Sequence, residues 1–560
     1  MQIDGESLRA RQSLSARLTE FAVAYRVMSC RLIRRRPFAT LFGAGALSVF
    51  SMAPFHFWPV LFFTLPVFFW ALDEGPQTGA HAWRAAAWCG WAFGFGYHLI
   101  GLHWIGFSFL VQAERFAVLM PFAILSLTAS LGLFFAVAGV AYAFVREHLP
   151  SGMPRLVALA LVVMAAEWLR GHILTGFPWN VLGYAITMPL PLMQLAGVFG
   201  IYVLTAITVI VLAAPLIFLS GTTSRPWKTV LATTVAPLGC ATLYGVWVLA
   251  ANPTVLNDEV RLRIVQPSFT QKDKFVRSKR GEIFKRHLEL SSQGFEAGAA
   301  GAQTKRPTHI IWPEAAIPFF ARRNEEALAA LGRALPDDVR VIAGTFRINA
   351  PPTVPNERVG PYRVYNSAMT FGGDGQVKSF YDKIHLVPFG EYLPAQPLLQ
   401  ALGFENLTRT SGGLALGKAP RELMRIAGLP PVEMLICYEA SFPDEVVQGG
   451  ERPGLLINLT NDAWFGSTTG PYQHFHQTRL RAVEQGVAMV RSANNGISAI
   501  VDPMGRTLAS LALNEVGVVD GAMPVAVNAP YYARFGGMIE LMAALIMLAY
   551  LGASAMRQRQ

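Results

Sequence analysis

Charge is scarce in this chain. Asp, Glu, Lys and Arg make up 15% of its 560 residues, where an average soluble domain carries about 25%. That scarcity argues against an ordinary cytosolic enzyme, and a hydrophobic fraction of 52% excludes a disordered chain. Cysteine is scarce too: there are Cys30, Cys89, Cys240 and Cys437. The first three fall in or beside apolar runs, so no disulfide framework is implied. The shortage of charge is also local. Residues 39–254 hold five acidic and seven basic side chains, whereas residues 255–525 hold 27 and 29. The chain reads as an apolar block, then a block with the composition of a soluble domain, then a short apolar tail.

The net charge is +11, and its location decides what it means. Eight arginines (Arg9, Arg11, Arg17, Arg26, Arg31, Arg34, Arg35 and Arg36) lie in the first 38 residues against three acids, and Arg557 and Arg559 close the other end. Basic clusters flanking apolar spans fix topology and meet anionic headgroups. A membrane is therefore the expected partner, and nucleic acid is not.

A hydrocarbon core about 30 Å thick requires roughly 20 apolar residues per helix. The spans expected are 39–54, 56–73, 83–110, 117–145, 154–170, 191–219, 228–250 and 533–554. The first two are short and share a turn at Pro54-Phe55-His56. No cleaved signal is expected, because the first apolar run follows a long basic tail and many spans come after it. With eight spans the N-tail, the turns bearing Arg146, Arg155, Arg225 and Lys228, and the C-tail share one side. The polar block then lies on the outer side, which is the periplasm in a Gram-negative cell. The domains expected are a basic cytoplasmic tail (1–38), a seven-span membrane domain (39–254), an outer polar domain (255–525), and an eighth span with a cytoplasmic tail (526–560).

Within the membrane block Glu167 and Arg170 stand at helical pair spacing, as a functional intramembrane charge or a structural ion pair. The loop Thr175-Gly176-Phe177-Pro178-Trp179-Asn180 is an interfacial anchor or a lid over a lipid access route. Trp83, Trp88, Trp91 and Trp104 read as interfacial belt and helix packing.

The polar block alternates strands and helices. Strands are expected at Val260–Gln266, His309–Trp312, Val339–Ile348, Val432–Ile436, Leu455–Leu459 and Val487–Val501, the last broken at Asn494-Asn495-Gly496. A helix is expected at Glu325–Ala334, and a hairpin over Asn366–Tyr381 turns at Gly372-Gly373-Asp374-Gly375. This is a layered α/β domain.

Three groups there could do chemistry. Cys437 follows an apolar strand and precedes a helix start, where a helix N-terminus favours thiolate. Alone it would read as a buried small hydrophobe, but Tyr438 and Glu439 follow directly, and a carboxylate beside a buried thiol is not a core choice. Glu314, in Trp312-Pro313-Glu314-Ala315-Ala316-Ile317-Pro318, ends an apolar strand between prolines. Desolvation there raises a carboxyl toward the range of a general base. Lys383, in Tyr381-Asp382-Lys383-Ile384-His385-Leu386-Val387-Pro388-Phe389-Gly390-Glu391-Tyr392, sits among apolar and aromatic neighbours, and a fixed ammonium in a dry site stabilises an oxyanion. His474 and His476 lack a third ligand type nearby and read as packing or hydrogen-bonding groups, as does His385. No metal site and no cofactor are expected.

The segments WPEAAIP, YDKIHLVPFGEY and LICYEASFPDEV, in that order, resemble the Glu-Lys-Cys motifs of the nitrilase superfamily. With seven spans before and one after, the chain resembles the superfamily's membrane-embedded branch, the apolipoprotein N-acyltransferase family. Asn458–Gly466 and Arg491–Gly496 carry the likeness further. The resemblance implies an αββα sandwich joined to the eight-span helical domain. It implies Glu314 as general base, Lys383 as oxyanion stabiliser and Cys437 as nucleophile. Glu391 would be an orienting carboxylate, with Tyr438 and Glu439 as supporting neighbours. Substrate-binding candidates are Asn461, Trp464, Phe465 and Trp179. The implied partners are a phospholipid acyl donor and a diacylglyceryl-lipoprotein acceptor, and a monomer is expected. The implied reaction passes through a Cys437 thioester, which divides ester-to-amide transfer into two steps and must exclude water. Two other readings stand beside it. One is a membrane-anchored carbon-nitrogen hydrolase using the same three residues. The other is a transporter or lipid-binding scaffold with an inert outer domain.

Overall fold

A computed structural model describes residues 5–75, 80–221, 225–293, 306–349, 363–395, 413–448 and 450–560. The chain divides into two compact units. One comprises Met1–His103, Pro121–Ala251 and Phe535–Gln560, and the other Trp104–Met120 with Asn252–Arg534.

The first unit is helical. Among the described residues four helices are long and apolar enough to cross a membrane: Ala113–Arg146, Ala196–Leu219, Pro226–Ala251 and Gly537–Arg559. Two shorter apolar helices occupy Pro37–Ser51 and Trp58–Asp73. Helices also fill Ala80–Leu102 and Met153–His172, at two of the remaining expected spans. The third expected span, 83–110, is not continuous. Its helix stops at Leu102, and a turn at His103–Gly106 leads to a short helix, Phe107–Leu110. That short segment belongs to the second unit, where Trp104 donates to Gln473 Oε1 at 3.0 Å and Ser108 to the Trp464 carbonyl at 3.0 Å. Side-chain partners specific to Gln473 and the Trp464 turn divert it, a factor invisible to hydropathy.

Helices approach closely where glycine faces a neighbour's backbone. A Cβ on Gly45 would stand 2.0 Å from the Phe93 carbonyl oxygen, and one on Gly96 2.1 Å from that of Phe42. Small residues permit such contact where no hydrophobic driving force separates helix from lipid. Glu167 and Arg170 resolve as a staple. Both are buried, 3.7 Å apart. Glu167 accepts from the Leu182 amide and Thr205 Oγ1, while Arg170 donates to the Phe177 and Trp179 carbonyls. The pair satisfies the irregular backbone of the 173–182 loop, which a helix-lined interior could not otherwise hold.

The second unit has two sheets. The first contains β1 (Leu256–Gln266), β2 (His309–Ile311), β3 (Ile317–Phe320), β4 (Arg340–Asn349), β5 (Arg363–Phe371), β6 (Val377–Asp382) and β12 (Gly517–Pro524), ordered β12-β1-β2-β4-β5-β6 with β3 also pairing β4. The second contains β7 (Val432–Ile436), β8 (Leu455–Thr460), β9 (Met489–Ala493), β10 (Ser498–Val501) and β11 (Thr507–Leu511), ordered β11-β10-β9-β8-β7. Each has a parallel centre, β1-β2-β4 and β7-β8-β9.

Between the sheets lies one core, with Leu262, Ile264, Ile311 and Ile342 from the first packed with Met434, Ile436, Ile457 and Val490 from the second. The outer face of the first sheet carries the helices Arg280–Ser292 and Glu325–Ala334 through Phe284, Leu290 and Leu331. The outer face of the second carries Gly470–Gln485 through Ala482. The layers run helix, sheet, sheet, helix. Central strands buried on both faces explain why their sequences read as unbroken apolar runs. Asn324 caps Glu325–Ala334 by accepting from the Ala327 amide at 3.0 Å.

Candidate active site

Glu314, Cys437 and Asn461 follow the carboxyl ends of β2, β7 and β8, and the β5–β6 hairpin brings Asn366 and Lys383 alongside. Glu314 is buried on a tight turn whose next residue, Ala315, has φ +50°. Strand β4 passes so near that a Cβ on Gly344 would stand 2.6 Å from the Glu314 Cα. Glu314 Oε1 accepts from Asn366 Nδ2 at 2.7 Å, and the same amide group donates to Glu391 Oε1 at 2.8 Å. Lys383 Nζ lies 2.8 Å from Glu391 Oε2 and 3.9 Å from Glu314 Oε1. Glu391 is fixed in turn by the Val387 amide at 2.8 Å. The Lys383 amide donates to the Asn366 carbonyl at 2.8 Å. Two carboxylates, an ammonium and an amide thus form a closed, buried ring.

Burial and the Glu391 charge push the Glu314 carboxyl up, with Lys383 opposing. Burial works against the Lys383 charge, yet Glu391 and Glu314 outweigh it and hold the ammonium well above the usual lysine range. The ring favours a charged Lys383 and a Glu314 ready to take up a proton. A second cation touches it: Lys274 Nζ donates to the Glu314 carbonyl at 3.0 Å, and burial lowers its pKa to about 8.

Cys437 directly follows β7 and lies in the left-handed region, at φ +52°. Its residue is 8% exposed, so the thiol is nearly sealed. Here the sequence expectation fails. The turn that follows, Cys437–Ser441, is a short 3-10 turn rather than a full helix, and the thiol is not shifted toward thiolate. Burial and then the negative charge of Glu314 push it well above the ordinary cysteine range, with Lys383 opposing. This arrangement favours the protonated thiol.

Glu439 ties the two chain segments together. Its carboxylate accepts from the amides of Ile436 (2.7 Å), Ile384 (2.8 Å) and His385 (3.1 Å), and from the Tyr381 hydroxyl (2.7 Å). Arg421 Nη2 lies 3.1 Å away. Burial opposes its charge, but Arg421 and these donors hold Glu439 below the usual carboxylate range. One buried anion therefore sets the segment after Lys383 against the strand that ends at Cys437. Arg421 is itself locked, donating to the Tyr381 hydroxyl at 3.0 Å and the Glu445 carbonyl at 2.5 Å. Tyr438 packs edge-on to Phe442 and His385, and His385 Nδ1 lies 2.9 Å from Glu445.

Behind the Cys437 turn, His474 Nε2 lies 3.2 Å from the Cys437 carbonyl and Nδ1 2.9 Å from Asp462. Arg491 donates to Asp462 at 2.8 Å and also to Asn458. Asn458 Nδ2 donates to the Leu435 carbonyl at 3.2 Å. His474 is thus a hydrogen-bonding residue, as its sequence context suggested. Among the described residues no cluster could hold a metal ion.

The substrate-binding candidates divide. Asn461 is buried, donating to Gln271 at 2.7 Å and accepting from Asn494 at 3.0 Å, so its polar atoms are spent on holding loops. Trp464 and Phe465 are half-buried, against Phe275 and Trp104 respectively. Trp179 lies in the helical unit, 2% exposed, stacked near Phe177. Sequence reasoning missed Asn366, Lys274 and Arg421. Asn366 had one signal: it is an amide within the apolar run of a strand, which a core does not choose without partners. Arg421 and Lys274 had none.

A thiol at a strand end beside a buried Glu-Lys pair, on two sheets flanked by helices, defines a nitrilase-type α/β domain. Two family matches agree: Carbon-nitrogen hydrolase over residues 261–531 and Apolipoprotein N-acyltransferase N-terminal domain over residues 44–214. The chain is 44% identical to the apolipoprotein N-acyltransferase of Rhodopseudomonas palustris over 508 residues, covering 90% of this chain and 93% of that protein. It is 44% identical to that of Bradyrhizobium diazoefficiens over 496 residues, covering 88% and 90%. It belongs to the apolipoprotein N-acyltransferase family.

Proposed function

We propose that the chain transfers an acyl chain from a membrane phospholipid to the α-amine of a lipoprotein's N-terminal diacylglyceryl-cysteine. The observation that carries this reading is the buried ring of Glu314, Asn366, Glu391 and Lys383, whose Glu314 and Lys383 charges both act on Cys437. Glu314 takes the thiol proton as sulfur attacks the ester carbonyl of the donor. The ammonium of Lys383 stabilises the oxyanion that forms. Collapse expels the glycerol oxygen, which receives the proton from Glu314 and leaves as lysophospholipid, and the acyl group stays on sulfur. The neutral amine of the acceptor then attacks the thioester. Its proton passes through Glu314 to the departing thiolate, leaving an amide and a free thiol. Glu314 serves as base and acid in each half, which a carboxyl raised by burial suits.

The chain would lie in a bacterial plasma membrane with eight spans, its tails cytoplasmic and its catalytic domain outside, as the positive-inside rule directs. Four helices long and apolar enough to cross a membrane and two shorter apolar ones support this reading, and Ala80–Leu102 and Met153–His172 would be the remaining two spans. Holding both substrates in one bilayer raises their effective concentration. A membrane-anchored hydrolase would share the first half-reaction and send water to the thioester instead.

Mass spectrometry of the purified protein incubated with phospholipid tests the reading. A hydroxylamine-labile acyl group on Cys437, discharged by a diacylglyceryl peptide with a free amine, is the expected result. Discharge to free fatty acid at the same rate with and without the peptide means a hydrolase, and turnover by Cys437→Ala removes the thiol from the reaction.

A further inference from the structure

The arginine-rich N-terminus is not a loose tail. Residues Gly5–Arg35 form one helix within the helical unit, and its residues from Leu14 onward divide into three lengthwise faces. Ala22 and Ser29 are buried. Beside them Arg26 pairs with Glu74 at 2.9 Å and donates to the Ser220 carbonyl at 3.1 Å, and Tyr25 donates to the Phe63 carbonyl at 3.2 Å. This is the face that docks on protein. At 3.6 residues per turn the adjoining stripe is Leu14, Leu18, Phe21, Met28 and Leu32, and these side chains are 41–60% exposed. The rest of the exposed surface carries Arg17, Arg31, Arg34 and Arg35, with the apolar Val23 and Val27 among them. An apolar stripe bordered by arginines, on a helix docked against apolar spans, is the pattern of a helix lying in a membrane interface.

We infer that the N-terminal helix is an in-plane anchor that binds anionic phospholipid. Leu14, Leu18, Phe21, Met28 and Leu32 enter the acyl-chain boundary of the cytoplasmic leaflet. Arg17, Arg31, Arg34 and Arg35 hold lipid phosphates. The charge of the helix selects the occupant. From Leu14 to Arg35 it carries five arginines against Glu20 alone, and Arg26 is already occupied by Glu74. A zwitterionic surface offers four free cations no net attraction, whereas an anionic leaflet favours each within a Debye length. The inference rests on the membrane placement and not on the chemistry at Cys437.

Hydrogen–deuterium exchange of the full chain in nanodiscs tests it. Discs of phosphatidylcholine alone are compared with discs containing phosphatidylglycerol. Peptides within 14–35 should exchange roughly tenfold more slowly in the phosphatidylglycerol discs, while Ala196–Leu219 exchanges alike in both. Equal exchange of 14–35 in the two discs overturns the inference and leaves a helix docked by protein contacts alone. That comparison needs no substitution, so it holds even if a variant misfolds. The variant with Arg17, Arg31, Arg34 and Arg35 changed to Gln should lose the difference between discs, and retention of it overturns the assignment of those arginines. Leu18→Glu with Met28→Glu should speed exchange in both discs, and wild-type protection in that variant would place the stripe outside the lipid.

Discussion

The ammonium of Lys383 lies 2.8 Å from Glu391 Oε2 and more than an ångström farther from Glu314. Its primary ionic partner is therefore the carboxylate that the proposed reaction does not use as a base. Glu391→Gln keeps the shape and removes the charge. The ammonium should then swing toward Glu314 and leave its place beside the reacting carbonyl. We expect acylation of Cys437 to slow about 10²-fold, the effect of losing one oxyanion donor, with little change in KM for phospholipid. Single-turnover release of lysophospholipid measures it, and an unchanged rate would make Glu391 a bystander.

Asn366 gives Glu314 a hydrogen bond that favours its ionised form, against burial and Glu391, which favour the protonated form. Only ionised Glu314 can accept the thiol proton, so the acylation rate should fall as pH drops through the raised Glu314 pKa. Asn366→Leu removes the hydrogen bond, and the acid limb of kcat/KM should move to higher pH. An acid limb that stays in place would assign it to another group.

Arg421 and Glu439 make no direct contact with a reacting atom and act by position. Removing one partner of a buried ion pair costs about 3–5 kcal/mol, so Arg421→Ala should lower thermal stability markedly. Glu439→Gln is milder, because the amide oxygen can still accept while its NH2 faces amide donors. It should lower kcat by roughly 10- to 100-fold with KM nearly unchanged, since a misplacement of about 1 Å costs that much. A fall in stability without a fall in kcat would reduce Glu439 to a structural role.

Asp462 is held at about 2: burial opposes its charge, but Arg491 and His474 overcome it. The unfolded carboxyl titrates near its ordinary value of 3.8. The folded state therefore binds this proton less tightly, and the group contributes about 2 kcal/mol of stability above pH 4 that is lost as pH falls from 4 to 2. Asp462→Asn should be less stable at pH 7, where Arg491 loses its partner, and should show a smaller further loss between pH 4 and 2. Thermal unfolding of the detergent-solubilised protein across that range measures both.

Much of the catalytic domain was legible because its signals are local. The limits of β7 and of the helix Glu325–Ala334 match their expected ranges, since an apolar run and a capped amphipathic stretch are set by neighbours in sequence. Glu314, Lys383 and Cys437 stood out because each is a polar group in an apolar setting. The break after Leu102 was hidden, because Trp104 and Ser108 find their partners more than 350 residues away. The same distance effect hid Arg421, whose partners lie on three other segments.

For Cys437 the two levels disagree. Strand followed by helix start implied an activated thiol, yet enclosure and the nearby Glu314 anion reverse the shift, because the protonation of a buried group depends on every charge around it and not on its own turn. Composition, the order of the elements and the choice of Glu314, Lys383 and Cys437 as candidates were determined by the sequence alone, since they rest on residue type and short-range spacing. Which carboxylate holds the lysine, which anion joins the two catalytic segments, and whether the sulfur rests as thiol or thiolate were decided only by the tertiary structure, because electrostatic energy in a buried site turns on distances of a few ångströms between residues far apart in the chain.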